Sequence, residues 1–235
     1  MLTTILFDLD GTLLPMDQDL FVKTYLGLLA RKMAPEGYDP KLLVECVWRG
    51  TEAMYRNDGS RSNETVFWAL FQETFGDMPL QDRDLFEDFY RNEFQQVKSV
   101  CGFDERAGQT VRRLHEMGLE TVLATNPLFP PHATRSRVRW AGLEPEDFRL
   151  ITTYDNSCHC KPNPAYYQDI LDALGLSPEN CLMVGNDAKE DLAARTVGIP
   201  VFLLTDCLIN KGSRDISQLP QGSYPELLSY ITSQL

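Results

Sequence analysis

Asp8 and Asp10 stand two residues apart in Ile5-Leu6-Phe7-Asp8-Leu9-Asp10-Gly11-Thr12-Leu13-Leu14, where an apolar run ends. Bare carboxylates this close repel by about 4 kcal/mol at roughly 4 Å in an effective dielectric near 20, so a cation, a shared proton or open water must relieve them. A strand followed by a plain Asp-Gly turn would carry the same residues. Three later stretches therefore matter. Leu119-Glu120-Thr121-Val122-Leu123-Ala124-Thr125-Asn126 is an apolar run ending in a hydroxyl and an amide, cut off by Pro127. Cys160-Lys161-Pro162-Asn163-Pro164 sets a lysine just before a proline-started helix. Cys181-Leu182-Met183-Val184-Gly185-Asn186-Asp187 ends in a carboxylate, with Asp191 following four residues later. Carboxylates, a hydroxyl and a lysine at strand ends are groups that can hold a hard cation, move protons or act as nucleophiles.

The elements that must position these groups follow from the apolar pattern. Leu2 to Leu9 reads as a strand buried on both faces and broken by Gly11. From Phe103 onward helix and strand patterns alternate: helix 104–117, strand 119–125, helix 134–140, strand 148–153, helix 164–174, strand 181–184, helix 188–197 and strand 200–204. Strands separated by helices imply right-handed crossovers and an α/β fold, a Rossmann-like, mainly parallel sheet with helices on both faces. Ligands gather at the carboxyl ends of such strands, where Asp8, Thr125 and Asp187 all fall.

Residues 15–97 carry no strand pattern. Leu20, Phe21, Thr24, Tyr25, Leu28 and Leu29 recur at helical spacing, as do Phe67, Leu70, Phe71 and Phe75. Leu85, Phe86, Phe89, Tyr90 and Val97 repeat the pattern after Asp84, with Glu87 completing a capping box. The expected organisation is a catalytic core of residues 1–14 and 98–235 with an inserted all-helical cap domain over 15–97. The cap is expected to hinge near Pro15–Asp17 and Val97–Gly102. The loop Asn57-Asp58-Gly59-Ser60-Arg61-Ser62-Asn63 is expected to face either the cleft or solvent.

With all four stretches in order, the chain resembles the haloacid dehalogenase-like (HAD) hydrolase superfamily, whose motifs are DxDGT, a strand-end Ser/Thr, a Lys and an acidic pair. The resemblance covers essentially the whole chain, and the helical insert after the first motif resembles the family's type-1 cap. It implies a phosphatase that hydrolyses small-molecule phosphomonoesters through an aspartyl-phosphate. Asp8 would be the nucleophile, and Asp10 the acid that protonates the leaving group and then the base that activates water. Thr125 and Asn126 would bind the phosphoryl group, and Lys161 would neutralise it and hold Asp8. The implied cofactor is Mg2+, on the side chains of Asp8 and Asp187 and the main-chain carbonyl of Asp10, a hard oxygen set that suits this ion. Asp191 would lie behind the ion or reach it through water. Dehalogenase and phosphonatase branches typically lack the second aspartate, so Asp10 disfavours their chemistry. A phosphosugar mutase on the same core is the alternative; a non-catalytic binding protein on the scaffold fits poorly because every catalytic position is filled.

The fourth motif departs from the commonest Gly-Asp form, since Asn186 stands between Gly185 and Asp187; the gap from Asp187 to Asp191 sets the register. Cys158-His159-Cys160 reads as packing residues rather than a zinc site, lacking a second ligand pair. Arg135, Arg137 and Arg139 read as a solvated helix surface. The chain has 235 residues, 43% of them hydrophobic, enough for a sizeable core. A net charge of −12 argues against nucleic-acid or anionic-membrane partners and leaves a small phosphorylated molecule as the expected one. No apolar stretch approaches membrane-spanning length, no basic leader precedes Asp8, and six cysteines make no disulfide framework, so the expected location is cytoplasmic. Oligomeric state is not legible.

Overall fold

The computed structural model describes residues 1–235. Five parallel strands form one sheet: β1 (Thr4–Phe7), β2 (Glu120–Leu123), β3 (Cys181–Gly185), β4 (Val201–Leu204) and β5 (Gln221–Gly222), in the order β2-β1-β3-β4-β5. β1 registers with both neighbours, Phe7 lying opposite Leu123 on one side and Val184 on the other. The chain leaves β1 toward β2 and then returns across it to β3. That reversal opens a crevice at the carboxyl ends of β1 and β3, where ligands of such sheets bind.

Alternation along the strands sends side chains to two cores. Ile5, Phe7, Leu182 and Val184 pack on one face with α6 (Glu105–Glu116), α7 (Pro131–Trp140) and α9 (Tyr224–Thr232). Leu6, Val122, Met183 and Leu203 pack on the other with α8 (Pro164–Leu174). Helices therefore cover both faces, as a wholly parallel sheet requires.

Between β1 and β2 the chain forms helices only. Ahead of α6 these are α1 (Gln18–Met33), α2 (Pro40–Tyr55), α3 (Asn63–Phe75), the single turn α4 (Met78–Gln81) and α5 (Arg83–Arg91), with a 3₁₀ run over Glu93–Val100. Their aromatic stripes interlock: Tyr25, Phe89 and Phe94 meet edge-on or tilted, and Phe67 stacks on Phe71 at 4.6 Å between ring centroids. The two connections to the sheet run side by side, Met16 bridging Cys101 and Gly102 donating its N–H to Pro15 at 2.7 Å. No helix is long and apolar enough to cross a membrane.

Several expectations need correction. Residues 148–153 give one isolated bridge, Leu123 to Ile151, because only a few backbone bonds follow the β2 edge before Thr153 turns away onto Asn156. The expected helix 188–197 is a 3₁₀ run over Asp191–Val197, its start displaced by a turn that Asp187 caps through the N–H groups of Lys189 and Glu190. Asp84 lies inside α5, and no side chain caps that helix. α7 begins at Pro131 rather than at 134. The pattern after residue 204 was not read as structure, yet β5 and α9 complete the sheet there; α2 likewise went unread.

Candidate active site

The crevice is built where strands stop. Asp8 follows β1 with its N–H on the carbonyl of Val184, and Asp187 follows β3 by two residues. Thr125 closes the β2 end, its carbonyl accepting from the hydroxyls of Thr152 (2.6 Å) and Tyr166 (2.8 Å). Lys161 precedes α8, which Asn163 caps through the N–H of Ala165 and Pro164 starts. Asp8, Asp10, Thr125, Asn126, Asp187 and Asp191 all line one cleft of about 570 Å³.

Lys161 is fully buried behind it. Its Nζ donates to Asp8 Oδ1 at 2.9 Å and to Asp191 Oδ1 at 2.7 Å. Burial alone would lower this lysine, but the Asp191 and Asp8 charges hold it well above its ordinary value. Burial pushes Asp191 up against the pull of Lys161. Asp191 is thus a buried anchor, also accepting the N–H of Asp187 at 2.9 Å.

Asp10 turns to a partner that the sequence reading discounted. Arg137 on α7 is fully buried and donates from Nη1 to Asp10 Oδ2, while its guanidinium lies 4.4 Å from the Phe129 ring centroid. Arg135 and Arg139 are exposed, as expected; Arg137 corrects the solvated-surface reading. The signal lay in helix phase: Arg137 follows the buried Ala133 by one turn, on the face opposite its arginine neighbours. Burial raises Asp10; Arg137 opposes this, Asp8 reinforces it, and the net direction is upward. Its Oδ1 is buried and unpartnered.

Thr12 and Asn186 were also missed as structural parts. Thr12 Oγ1 lies 3.0 Å from Asp8 Oδ2 and 3.2 Å from Asn186 Oδ1, within donating reach of both. Asn186 fills the space over Gly11, where φ is +89° and an added Cβ would sit 2.2 Å from Asn186 Nδ2. Both the left-handed turn and the close approach demand glycine. The extra position in the fourth motif is therefore occupied by the residue that clamps the first.

At the cleft mouth Asn126 Nδ2 donates to Glu190 Oε2 at 3.0 Å and to the Tyr55 hydroxyl at 3.1 Å. Burial pushes Glu190 up to about 7, partly offset by Lys161. The 57–63 loop faces neither cleft nor open solvent as a whole: Asn63 is buried, its N–H on the carbonyl of Ser157 and its amide near Cys160 Sγ. His159 pairs with Asp169 at 2.6 Å.

No three His, Cys, Asp or Glu side chains stand close enough to cage a metal by themselves. The donor set still suits a hard cation. Asp8, Asp10 and Asp187 converge on one cleft; each bonded oxygen of Asp8 and Asp10 accepts a single bond and keeps a second lone pair, while Asp187 Oδ1 is taken up by two N–H groups and leaves its Oδ2 free. Mg2+ uses one or two carboxylates plus water rather than an all-protein cage.

A model of the haloacid dehalogenase-like hydrolase family matches residues 2–198. The chain belongs to that family and is a hydrolase. Pyrophosphatase PpaX of Halalkalibacterium halodurans is 27% identical to it, over 84% of this chain and 81% of its own. A phosphoglycolate phosphatase of Vibrio vulnificus is 26% identical over 86% and 82%. Among solved structures, the putative HAD-hydrolase YfnB of Bacillus subtilis, bound to magnesium, aligns over 98% of both chains with a TM-score of 0.57 and 19% identity, a likeness of fold.

Proposed function

We propose that this chain is a Mg2+-dependent phosphatase that hydrolyses small-molecule phosphomonoesters through an aspartyl-phosphate on Asp8. The observation that carries the reading is Lys161, a cation without solvent exposure held between Asp8 and Asp191 at the floor of the cleft. It fixes Asp8 Oδ1 and supplies positive charge where an anionic phosphoryl group must approach an anionic nucleophile. Asp8 attacks phosphorus, and Asp10, raised by burial, gives its proton to the departing oxygen. The carboxylate left on Asp10, steadied by Arg137, then takes a proton from the water that opens the acyl phosphate. Thr125 and Asn126 orient the phosphoryl oxygens. The side chains of Asp8 and Asp187 and the main-chain carbonyl of Asp10 would hold Mg2+, which supplies charge neutralisation on the phosphoryl oxygens. The phosphatase names of both relatives and the magnesium in the YfnB structure support the same reading. An inserted cap domain over residues 15–97, closing on the paired connections at Pro15–Asp17 and Val97–Gly102, would exclude water during the reaction.

Hydrolysis of p-nitrophenyl phosphate tests this directly. We expect turnover with Mg2+, loss of turnover in EDTA, and no turnover in a folded Asp8→Asn variant. Normal turnover in that variant would remove Asp8 from the nucleophile role.

A further inference from the structure

Above the cleft, the helical insert lines a partly open apolar cavity of about 110 Å³. Its walls come from α1, α2, α3 and α5, closed from below by Leu128, Phe129 and Tyr154. Leu26, Trp48, Thr51, Leu128 and Phe129 line both this cavity and the catalytic cleft, so the two spaces share a wall and adjoin. A cavity of roughly 150 Å³ in another protein interior takes up benzene, which sets the scale of what fits.

Apart from the Trp48 indole N–H, the side-chain polar atoms of the cavity wall are already paired within the protein. The hydroxyls of Tyr25 and Tyr90 meet at 3.0 Å, Trp68 Nε1 reaches the Tyr154 hydroxyl at 3.4 Å, and Thr51 Oγ1 donates to the Val47 carbonyl at 2.9 Å. A sugar or other polyol entering here would lose its water and find only the Trp48 indole N–H unpaired. Charge excludes a second class. The cleft is lined by Asp8, Asp10, Asp19, Asp187, Glu190 and Asp191, against Lys23 as its one cationic lining residue, and Lys23 is exposed. Lys161 and Arg137 are already engaged by Asp8, Asp191 and Asp10. A leaving group with its own negative charge, such as glycolate or a second phosphate, meets six acidic residues and only the exposed Lys23 ammonium as a free cation.

We infer that the preferred substrate is the phosphomonoester of an uncharged, apolar alcohol, about one aromatic ring or a short alkyl chain in size, whose organic part occupies the cavity under Trp48 while its phosphate sits over Asp8. This rests on the phosphatase reading above and departs from the substrates named for the relatives.

The test is kcat/KM across methyl, butyl and benzyl phosphates, compared with phosphoglycolate and pyrophosphate. The three alkyl alcohols are similarly poor leaving groups, so differences among them report binding of the organic part. The expected result is a rise of about fourfold for each methylene buried, with benzyl phosphate the best, and with phosphoglycolate and pyrophosphate below butyl phosphate. Thr51→Phe, which fills the shared wall, should bring the benzyl-to-methyl ratio toward one. A flat alkyl series, a better rate on either charged substrate, or an unchanged ratio in Thr51→Phe would overturn the inference while leaving a phosphatase. Were none of these hydrolysed, the phosphatase reading would fall. Quenching of tryptophan fluorescence would then decide the cavity: tighter binding of benzylphosphonate than of phosphonoacetate upholds it, and equal or weaker binding ends it.

Discussion

Arg137 and Asp10 form a largely buried ion pair 127 residues apart in sequence, guanidinium Nη1 against carboxylate Oδ2. Lys161 does the same for Asp8. The repulsion expected between two carboxylates at the end of one strand is thus relieved by two protein cations, one for each. Removing one partner of a buried pair costs about 3–5 kcal/mol because the other charge is stranded, whereas removing both costs far less. Asp10 keeps 23% of its side chain open to the cleft, which favours the lower end. We expect Arg137→Met to lose about 3 kcal/mol in urea denaturation, and the double variant Arg137→Met/Asp10→Asn to recover most of it. Equal losses in the single and double variants would show that the pair is not the source.

The proposed acid role of Asp10 gives a separate kinetic signature. p-Nitrophenolate leaves without a proton, whereas an alkoxide does not. Asp10→Asn should lower kcat on butyl phosphate by about 10²- to 10⁴-fold, and by clearly less on p-nitrophenyl phosphate. Parallel losses on the two substrates would argue that Asp10 acts on water or on folding alone.

Gly185 ends β3 beside the Asp191 carboxylate, and a Cβ there would stand 2.0 Å from Asp191 Oδ2. Asp191 cannot retreat without breaking its bonds to Lys161 and to the N–H of Asp187. Gly185→Ala should therefore cost about 1–3 kcal/mol as an overpacked core substitution, with a drop in activity as Lys161 loses its anchor. Gly118→Ala is the control for glycine replacement as such, since nothing lies within 4 Å of its Cβ position, although φ there is +81°. A thermal melt of both variants separates crowding from backbone strain; a Gly185→Ala melt no lower than that of Gly118→Ala would sink the crowding argument.

Asp104 carries a pH-dependent contribution away from the cleft. It caps α6 by accepting the N–H of Arg106 at 2.9 Å, and the Arg106 guanidinium beside it holds its carboxyl below the ordinary carboxylate value. A depressed carboxylate stabilises the fold fully above its unfolded pKa, near 4, and loses that contribution as pH falls through the lower folded value. Asp104→Ala should cost about 1 kcal/mol at pH 7 through the lost cap. The difference from wild type should shrink as pH drops below about 4, followed by urea midpoints from pH 7 to pH 3. A constant difference across that range would assign the loss to packing instead.

The sheet was legible because buried strands are short apolar runs; β1, β2 and β4 fall within their expected spans, and β3 runs one residue past its own, to Gly185. Asp8, Thr125 and Lys161 were singled out through motif spacing, which is local, and the structure brings them to one crevice. Arg137 was not, because its role depends on where α7 sits against the turn after β1, and an arginine among arginines reads as surface. Asn186 was treated as an inserted position because its partner, Gly11, lies 175 residues earlier. Strand 148–153 failed for another physical reason: an edge segment can follow its neighbour with a few bonds and never complete a ladder. β5 went unread since a two-residue strand leaves no periodicity to detect.

Tyr55 closes α2 over the cleft with its hydroxyl within 3.2 Å of Glu190 Oε1 and 3.1 Å of Asn126 Nδ2. These contacts tie the helical insert to the turn after β2, next to the proposed phosphoryl-binding amide. Tyr55 is 40% exposed, so losing one hydroxyl should leave global stability within about 0.5 kcal/mol. A closed arrangement favoured by those bonds would become less populated, and the apparent affinity for substrate falls with that fraction. Tyr55→Phe should accordingly raise KM for p-nitrophenyl phosphate several-fold with little change in the urea midpoint. It should also speed protease cleavage at residues 97–102, where the insert rejoins the sheet. Unchanged KM together with unchanged cleavage would mean that Tyr55 decorates the cleft without holding it shut.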